Sequence, residues 1–236
     1  MKNIAIIPAR SGSQRLKDKN IKDLDGKPLI AYTIQAAYYS GLFDEIVVST
    51  DSPLYAEIAE KYGASVPFLR ESGLAKAETG TWEVVFDVLD RYAEQGEEFD
   101  NITLLQVTSP LRTADDIKNA YKLFEEKKAV SVIGVCQTDH SPLIENTLPE
   151  DRCLKHFFDG NNIYKRSTHN LPIFYKINGA IYIVKTEELR QNLNNLYGEK
   201  SYAFVMSKEH SVDIDDELDF IIAKAIIEKN KIKVAL

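Results

Sequence analysis

Apolar positions along the chain follow two rhythms. Short runs rich in branched side chains, Asn3 to Ile7, Glu45 to Ser49, Ser65 to Leu69, Thr103 to Gln106 and Val130 to Val135, predict strands. Between them apolar residues recur three and four apart. Pro28 opens a helical pattern of Leu29, Ile30, Ile34 and Ala37 that Gly41 closes, as expected of proline in a first turn and glycine just past the last. Asp51, Ser52 and Pro53 start a second helix holding Leu54, Ile58, Ala59 and Tyr62 and ended by Gly63. Val84, Val85, Val88, Leu89 and Tyr92 form a third stripe, and Ile117, Ala120, Tyr121 and Phe124 a fourth. Strands alternating with helices in this way predict a three-layer α/β core around a parallel sheet.

The rhythm stops near Asp139. From there to Tyr175 the chain carries Pro142, Pro149 and Pro172 and little periodicity, so residues 139–175 are expected to form an inserted arm on a single domain of residues 1–236. Pattern returns with Ile177 to Val184, where Asn178-Gly179 interrupts an apolar run, and ends with a helix carrying Leu218, Ile221, Ile222 and Ile226.

Composition narrows the classes. With 44% hydrophobic and 28% charged residues, the 236-residue chain is far from the disordered corner and long enough to bury a core. Its net charge of −7 would repel a phosphate backbone, which excludes nucleic acid as the expected partner. The two cysteines, Cys136 and Cys153, supply neither a disulfide framework nor a four-thiolate zinc site and fit a reducing compartment. The N-terminal apolar run, broken by Pro8 and Arg10, is too short for a signal-peptide core or a membrane span, so the expected location is the cytoplasm, with no membrane partner.

In open α/β sheets ligands bind beyond the carboxyl ends of the strands. After the first predicted strand, the loop from Pro8 to Asn20 gathers Arg10, Arg15, Lys17 and Lys19 with Ser11 and Ser13 in an otherwise acidic protein. Flexible backbone at Gly12 lets amides approach phosphate oxygens while the cations supply charge-assisted hydrogen bonds, so the loop can wrap a polyphosphate. The plain alternative is a solvated basic loop. Neither G-x-x-x-x-G-K-[ST] nor G-x-G-x-x-G occurs, which sets aside P-loop ATPases and dinucleotide dehydrogenases. Nor is there a G-x-S-x-G or a paired-histidine zinc motif among His140, His156, His169 and His210. Near the other end, extended backbone through Ser211-Val212-Asp213-Ile214-Asp215-Asp216 puts Asp213 and Asp215 on one face, a donor set suited to Mg²⁺, which favours one or two carboxylates plus substrate phosphates. The alternative is helix capping, for which Asp215 or Asp216 alone would serve.

The loop from Ile6 to Asn20 resembles the signature of the CMP-sialic acid synthetases, the acylneuraminate cytidylyltransferases. Further segments agree with that family in order and rough spacing: Gly26 to Ile30, Val48 to Ser52, Leu105 to Arg112, Asn178 to Tyr182 and Ser211 to Asp215. The resemblance implies a Rossmann-like nucleotide-diphospho-sugar transferase fold with a mostly parallel sheet, in which CTP and an acidic nine-carbon sugar give the CMP-sugar and pyrophosphate. It implies that Arg10 and Lys19 neutralise phosphate charge, that Ser13 and Asn20 fix the triphosphate and nucleoside, with Arg70 a further phosphate or base-edge group, and that Asp213 and Asp215 hold Mg²⁺. Gln106 matches a residue that contacts the sugar. The arm through Tyr175 is expected to cross a homodimer interface toward the partner's sugar pocket, with Tyr175 a sugar-binding residue. Where family members carry an Arg-Arg-Gln-like run before a Leu-Pro pair, this chain has Ser167-Thr168-His169 before Asn170-Leu171-Pro172, with Lys165 and Arg166 just earlier, and Arg166 is taken as the group that pairs with the sugar carboxylate. The nearest alternatives are a cytidylyltransferase for legionaminate, pseudaminate or Kdo, or a nucleotide-binding protein without catalysis.

Overall fold

The computed structural model describes residues 1–13, 15–74, 79–158 and 172–235. Its strands are β1 (Asn3–Pro8), β2 (Asp23–Leu24), β3 (Lys27–Pro28), β4 (Glu45–Ser49), β5 (Asn101–Leu104), β6 (Ser131–Gln137), β7 (Tyr175–Lys185) and β8 (Ser201–Val205). Six of them form one sheet in the order β4-β1-β5-β7-β6-β8, and β2 and β3 pair separately. β1 runs parallel to β4 and β5, and β6 runs parallel to β8, while β7 lies antiparallel between β5 and β6. The sheet is therefore mostly parallel, as expected.

Parallel neighbours need crossovers, and the helices supply them: α1 (Leu29–Ser40), α2 (Pro53–Lys61), α3 (Thr81–Glu94), α4 (Ala114–Glu126), α5 (Thr186–Gln191) and α6 (Glu217–Ala235). Strand alternation divides the core in two. Ala5 and Ile7 of β1 join Ile30 and Ile34 of α1 and Ile117 and Phe124 of α4 on one face. Ile4 and Ile6 join Val85, Val88 and Leu89 of α3 on the other. Each such isoleucine, fully buried, contributes roughly 1.5–3 kcal/mol. The three layers follow from this two-sided burial of the strands.

Local chemistry sets the helix ends. Pro28 precedes α1 in extended backbone, and Gly41 ends it with φ 65°, a left-handed turn that a side chain would strain. Ser52 caps α2 by accepting from the Tyr55 N–H, with Pro53 in the first helical position. Thr113 and Asp116 cap α4 reciprocally.

The structure corrects four details of the pattern. Ser65 to Leu69 is not a strand: Ser65 makes a single bridge to Val47, and Pro67 has no N–H with which to continue a ladder. β5 stops at Leu104, so Gln106 lies beyond the sheet, in the region where ligands bind. β8 was not anticipated; as an edge strand it buries Tyr202 and Phe204 only in part, and their alternation is its one signal. In α6, Phe220 and Ala223 turn inward, while Leu218, Ile221 and Ile222 are exposed. Helix α6 is held by Lys22, which pairs with Glu217 at 2.7 Å and lies over the Phe220 ring.

Of the expected arm, residues 139–158 contain two short 3-10 turns, Pro142–Ile144 and Leu154–His156, with Leu148 and Leu154 exposed. Tyr175, taken as its end, already belongs to β7. Residues 159–171, including Arg166 and His169, lie outside the described residues. No helix of the described residues is long and apolar enough to cross a membrane.

Candidate active site

At the carboxyl ends of β1, β4 and β5 a cavity of about 360 Å³ is lined by Arg10, Ser13, Lys19, Asn20, Arg70, Gln106, Thr108, Asp213 and Asp215, among others. A larger groove of about 1020 Å³, near Met1, Asp100 and Arg190, contains none of the residues selected from the sequence. The two ends of the chain thus meet in one place, 200 positions apart, as the hydrogen bond from Arg15 to Asp215 shows.

The basic loop is built rather than solvated. The N–H of Ser11 donates to Asp51 Oδ1 at 2.8 Å and its hydroxyl to Oδ2 at 2.7 Å, tying the loop to the segment after β4. Burial pushes the Asp51 carboxyl up, but the Ser11 bonds, a bond from its own backbone N–H and the Arg70 charge outweigh that and hold it below the ordinary carboxylate value. Farther along, the Asn20 amide donates to the Arg10 carbonyl at 2.9 Å, and the Tyr55 hydroxyl donates to Asp18, whose backbone is left-handed at φ 50°. Arg10 itself donates to the Gly12 carbonyl at 2.8 Å, so its guanidinium folds back over the loop.

Arg70 sits deeper. It is 6% exposed and donates through Nε to the Ser49 hydroxyl at 3.1 Å and through Nη2 to the Ser49 carbonyl at 2.6 Å. Burial lowers its pKa, with Asp51 and Asp87 acting against the shift and Arg10 adding to it. The group is pinned to the end of β4 rather than to the loop.

On the opposite wall, the question of which of Asp215 and Asp216 caps the helix resolves. Capping falls to Asp216, whose Oδ1 accepts from the N–H groups of Leu218 and Asp219, while Asp219 reciprocates to Asp215 and Asp216. Asp213 and Asp215 are left facing the cavity. Desolvation raises the Asp213 pKa above the ordinary value; Thr108 and Lys19 oppose this, and the charges of Asp215 and Asp219 add to it. Asp215 pairs with Arg15 at 3.0 Å and Lys19 at 3.6 Å, and Lys19 Nζ also donates to the Ile214 carbonyl at 2.6 Å. A carboxylate disfavoured by its surroundings and by its like-charged neighbour fits a bound cation. Among the described residues no cluster of three or more His, Cys, Asp or Glu is arranged to hold a metal, so Mg²⁺ would depend on this pair and on substrate oxygens.

The sequence had not singled out several supports. The Thr108 carbonyl accepts the Ile214 N–H at 2.8 Å, and the Thr108 side chain favours the charged form of Asp213. Buried Asn178 donates to the Ser211 hydroxyl at 2.9 Å, and His210 meets Asp116 at 2.8 Å, so the segment leading to Asp213 is fastened to β7 and α4. These contacts span tens of residues, and only the motif positions of Thr108 and Asn178 hinted at them. Tyr175 is not in the cavity; it is 52% exposed at the start of β7, opposite Gln137.

Residues 4–231 match the family model described as cytidylyltransferase. The chain is 36% identical to CMP-N,N'-diacetyllegionaminic acid synthase of Legionella pneumophila over 98% of both proteins. It is 38% identical to N-acylneuraminate cytidylyltransferase of Escherichia coli O18:K1:H7 over 100% of this chain and 54% of that protein, about half of whose length it spans. Among solved structures it is similar in fold to CMP:2-keto-3-deoxy-manno-octonic acid synthetase complexed with CTP, with a TM-score of 0.70 and 18% identity over 98% of this chain and 100% of that one.

Proposed function

The chain belongs to the cytidylyltransferase family, and from that premise we propose that it transfers CMP from CTP to an acidic nine-carbon sugar of the N-acylneuraminate class, with Mg²⁺, releasing pyrophosphate. The observation that carries this reading is the single cavity in which Arg10, Ser13, Lys19, Asn20 and Arg70 face Asp213 and Asp215, with Gln106 beside them.

In the proposed reaction a sugar hydroxyl attacks the α-phosphorus in line. A bond from that oxygen to phosphorus forms, the bond to the β-phosphate bridge breaks, and the hydroxyl proton passes to solvent. Little covalent chemistry falls to the protein, so catalysis consists of positioning and charge neutralisation. Arg10 and Lys19 supply the fixed positive charge on the growing phosphate negative charge. Ser13 and the loop amides hold the triphosphate, and Asn20 and Arg70, anchored deeper, take the nucleoside. The loop's bonds to Asp51 and Tyr55 fix this arrangement before substrate arrives. Asp213 and Asp215 would hold Mg²⁺, which supplies Lewis-acid neutralisation of phosphate oxygens when bound.

Gln106 stands on the sugar side. We propose that the arm completes that side from a partner copy, with the exposed Ile173, Tyr175 and Ile177 as the apolar face of a homodimer and Arg166, outside the described residues, as the group that pairs with the neighbour's sugar carboxylate. A second reading takes legionaminate as the sugar, favoured by the Legionella relative matching this chain almost end to end. A soluble, CTP-consuming enzyme of this kind would work in the cytoplasm. Pyrophosphate release from CTP, measured against a panel of neuraminate, legionaminate, pseudaminate and Kdo with and without chelator, tests the reaction, the sugar and the metal together. Release with none of the sugars at saturating Mg²⁺ refutes the proposal.

A further inference from the structure

We propose that Arg112 is a positioning residue for the sugar half of the cavity, holding the Gln106 turn against β7. This deepens, and rests on, the reading of Gln106 as a sugar contact. Arg112 is 2% exposed. Its Nη1 donates to the Ala180 carbonyl at 2.8 Å and to the Gln106 carbonyl at 3.3 Å, so one nitrogen joins the turn after β5 to the middle of β7. Nε and Nη2 have no hydrogen-bond partner among the described residues, and Arg112 forms no ion pair among them. Burial pushes its pKa down to about 9, with Asp116 pushing the other way, and the group stays charged at neutral pH.

A buried guanidinium with so little neutralisation is costly to keep, and a methionine of similar length would fill the space without that cost. What the arginine adds is the fixing of two carbonyls. Gly179, next to Ala180, has φ 72°, and a Cβ there would run into the Gln106 amide oxygen, so the Gln106 side chain lies directly on the β7 backbone. The Thr33 hydroxyl, at 3.4 Å, is a second donor to the Gln106 carbonyl. Arg112 therefore sets where the Gln106 turn sits, and Gly179 lets its amide lie flat against that support. Misplacing a substrate contact by about 1 Å can cost two orders of magnitude in rate. The nucleotide side is anchored elsewhere, by Asp51 on Ser11 and by Ser49 on Arg70, so loss of Arg112 should spare CTP.

The test compares wild type, Arg112→Lys and Arg112→Met, each also in a Gln106→Ala background, by pyrophosphate release with CTP and the sugar wild type uses, alongside thermal melting. The sugar KM should rise about tenfold or more in both Arg112 variants, less for lysine, which keeps one donor, while the CTP KM stays within about twofold. In the Gln106→Ala background the same changes should add no further rise, because Arg112 acts through Gln106. Equal weakening of both substrates, an unchanged sugar KM, or full additivity with Gln106→Ala overturns the role. Should neither Arg112 variant fold, Thr33→Val removes the second donor to the same carbonyl; a sugar-only rise in KM supports the assignment and no change overturns it. A wild-type protein inactive with every acidic sugar refutes the underlying reaction as well, whereas an active wild type with unaffected variants refutes Arg112 alone.

Discussion

Asp51 offers a sharp test of whether the loop is preformed. Its carboxylate accepts two bonds from Ser11, at 2.8 and 2.7 Å, its hydrogen bonds to the loop among the described residues. In Asp51→Asn the amide keeps one acceptor oxygen and presents an NH₂ to the other donor, so one bond is lost and the survivor loses its charge assistance. A hydrogen bond to a charged group contributes about 1.5–3 kcal/mol. Asn20 on Arg10 and Tyr55 on Asp18 still tether the loop, so we expect the lower half of that range, about 13- to 45-fold in kcat/KM for CTP. The assay is steady-state pyrophosphate release with varied CTP at saturating sugar, with thermal melts alongside. Because the folded carboxyl sits below its unfolded value, the stability it contributes is fully present above about pH 4 and is lost as pH falls through the folded pKa. The stability gap between wild type and variant should thus be open at pH 7 and close in strong acid. A kcat/KM for CTP within twofold of wild type would show that the loop orders without Asp51, and a gap that widens in acid would refute the electrostatic argument.

Asp213→Ala should reduce turnover by several orders of magnitude with the fold intact and weaken Mg²⁺ dependence, checked by Mg²⁺ titration; near wild-type turnover removes it from the metal assignment. Lys19→Ala and Arg10→Ala should lower kcat at least a hundredfold, with Arg10→Ala altering stability by no more than about 0.5 kcal/mol. Lys19→Ala should cost more stability because it frees the Ile214 carbonyl, and melts beside initial rates separate the two effects. Arg166→Ala should raise the sugar KM and leave that for CTP nearly unchanged in a protein that sediments as a dimer; a monomer, or equal weakening for both substrates, argues against a shared site.

What the sequence revealed follows from how local each signal was. The alternation of Ile4 and Ile6 with Ala5 and Ile7 is written in consecutive residues, and so were β1 and its two-sided burial. The ends of α1 and α2 are equally local, in Pro28, Gly41, Ser52 and Pro53. β8 escaped because an edge strand with half-buried Tyr202 and Phe204 lacks a strong apolar run. Leu218, Ile221 and Ile222 fitted a helix but gave no direction for its buried face, which Phe220 and Ala223 take instead. In the candidate site the charged residues announced themselves by type, whereas Asp51, Thr108 and Arg112 act through partners that the fold brings close. The capping ambiguity between Asp215 and Asp216 had no resolution in sequence, since it turns on which N–H groups Asp216 meets.

The pairing of Asp215 with Arg15 and Lys19 bears on how a chain of net charge −7 keeps a cationic loop aimed at its site. Under the proposed reaction both cations must trade the carboxylate for phosphate oxygens, and the energetics of the trade differ between them. Arg15 and Asp215 have side chains 72% and 57% exposed, so their pair contributes at most about 1 kcal/mol and is released easily. Lys19 is only 12% exposed and keeps its bond to the Ile214 carbonyl whichever anion it faces. Its ammonium therefore stays in place while its ionic partner changes. Asp215, released from both cations, has its negative charge unneutralised and available to a cation as the phosphates arrive, so the negative wall and the positive loop hold each other in register when the nucleotide is absent and face its charged groups when it is bound.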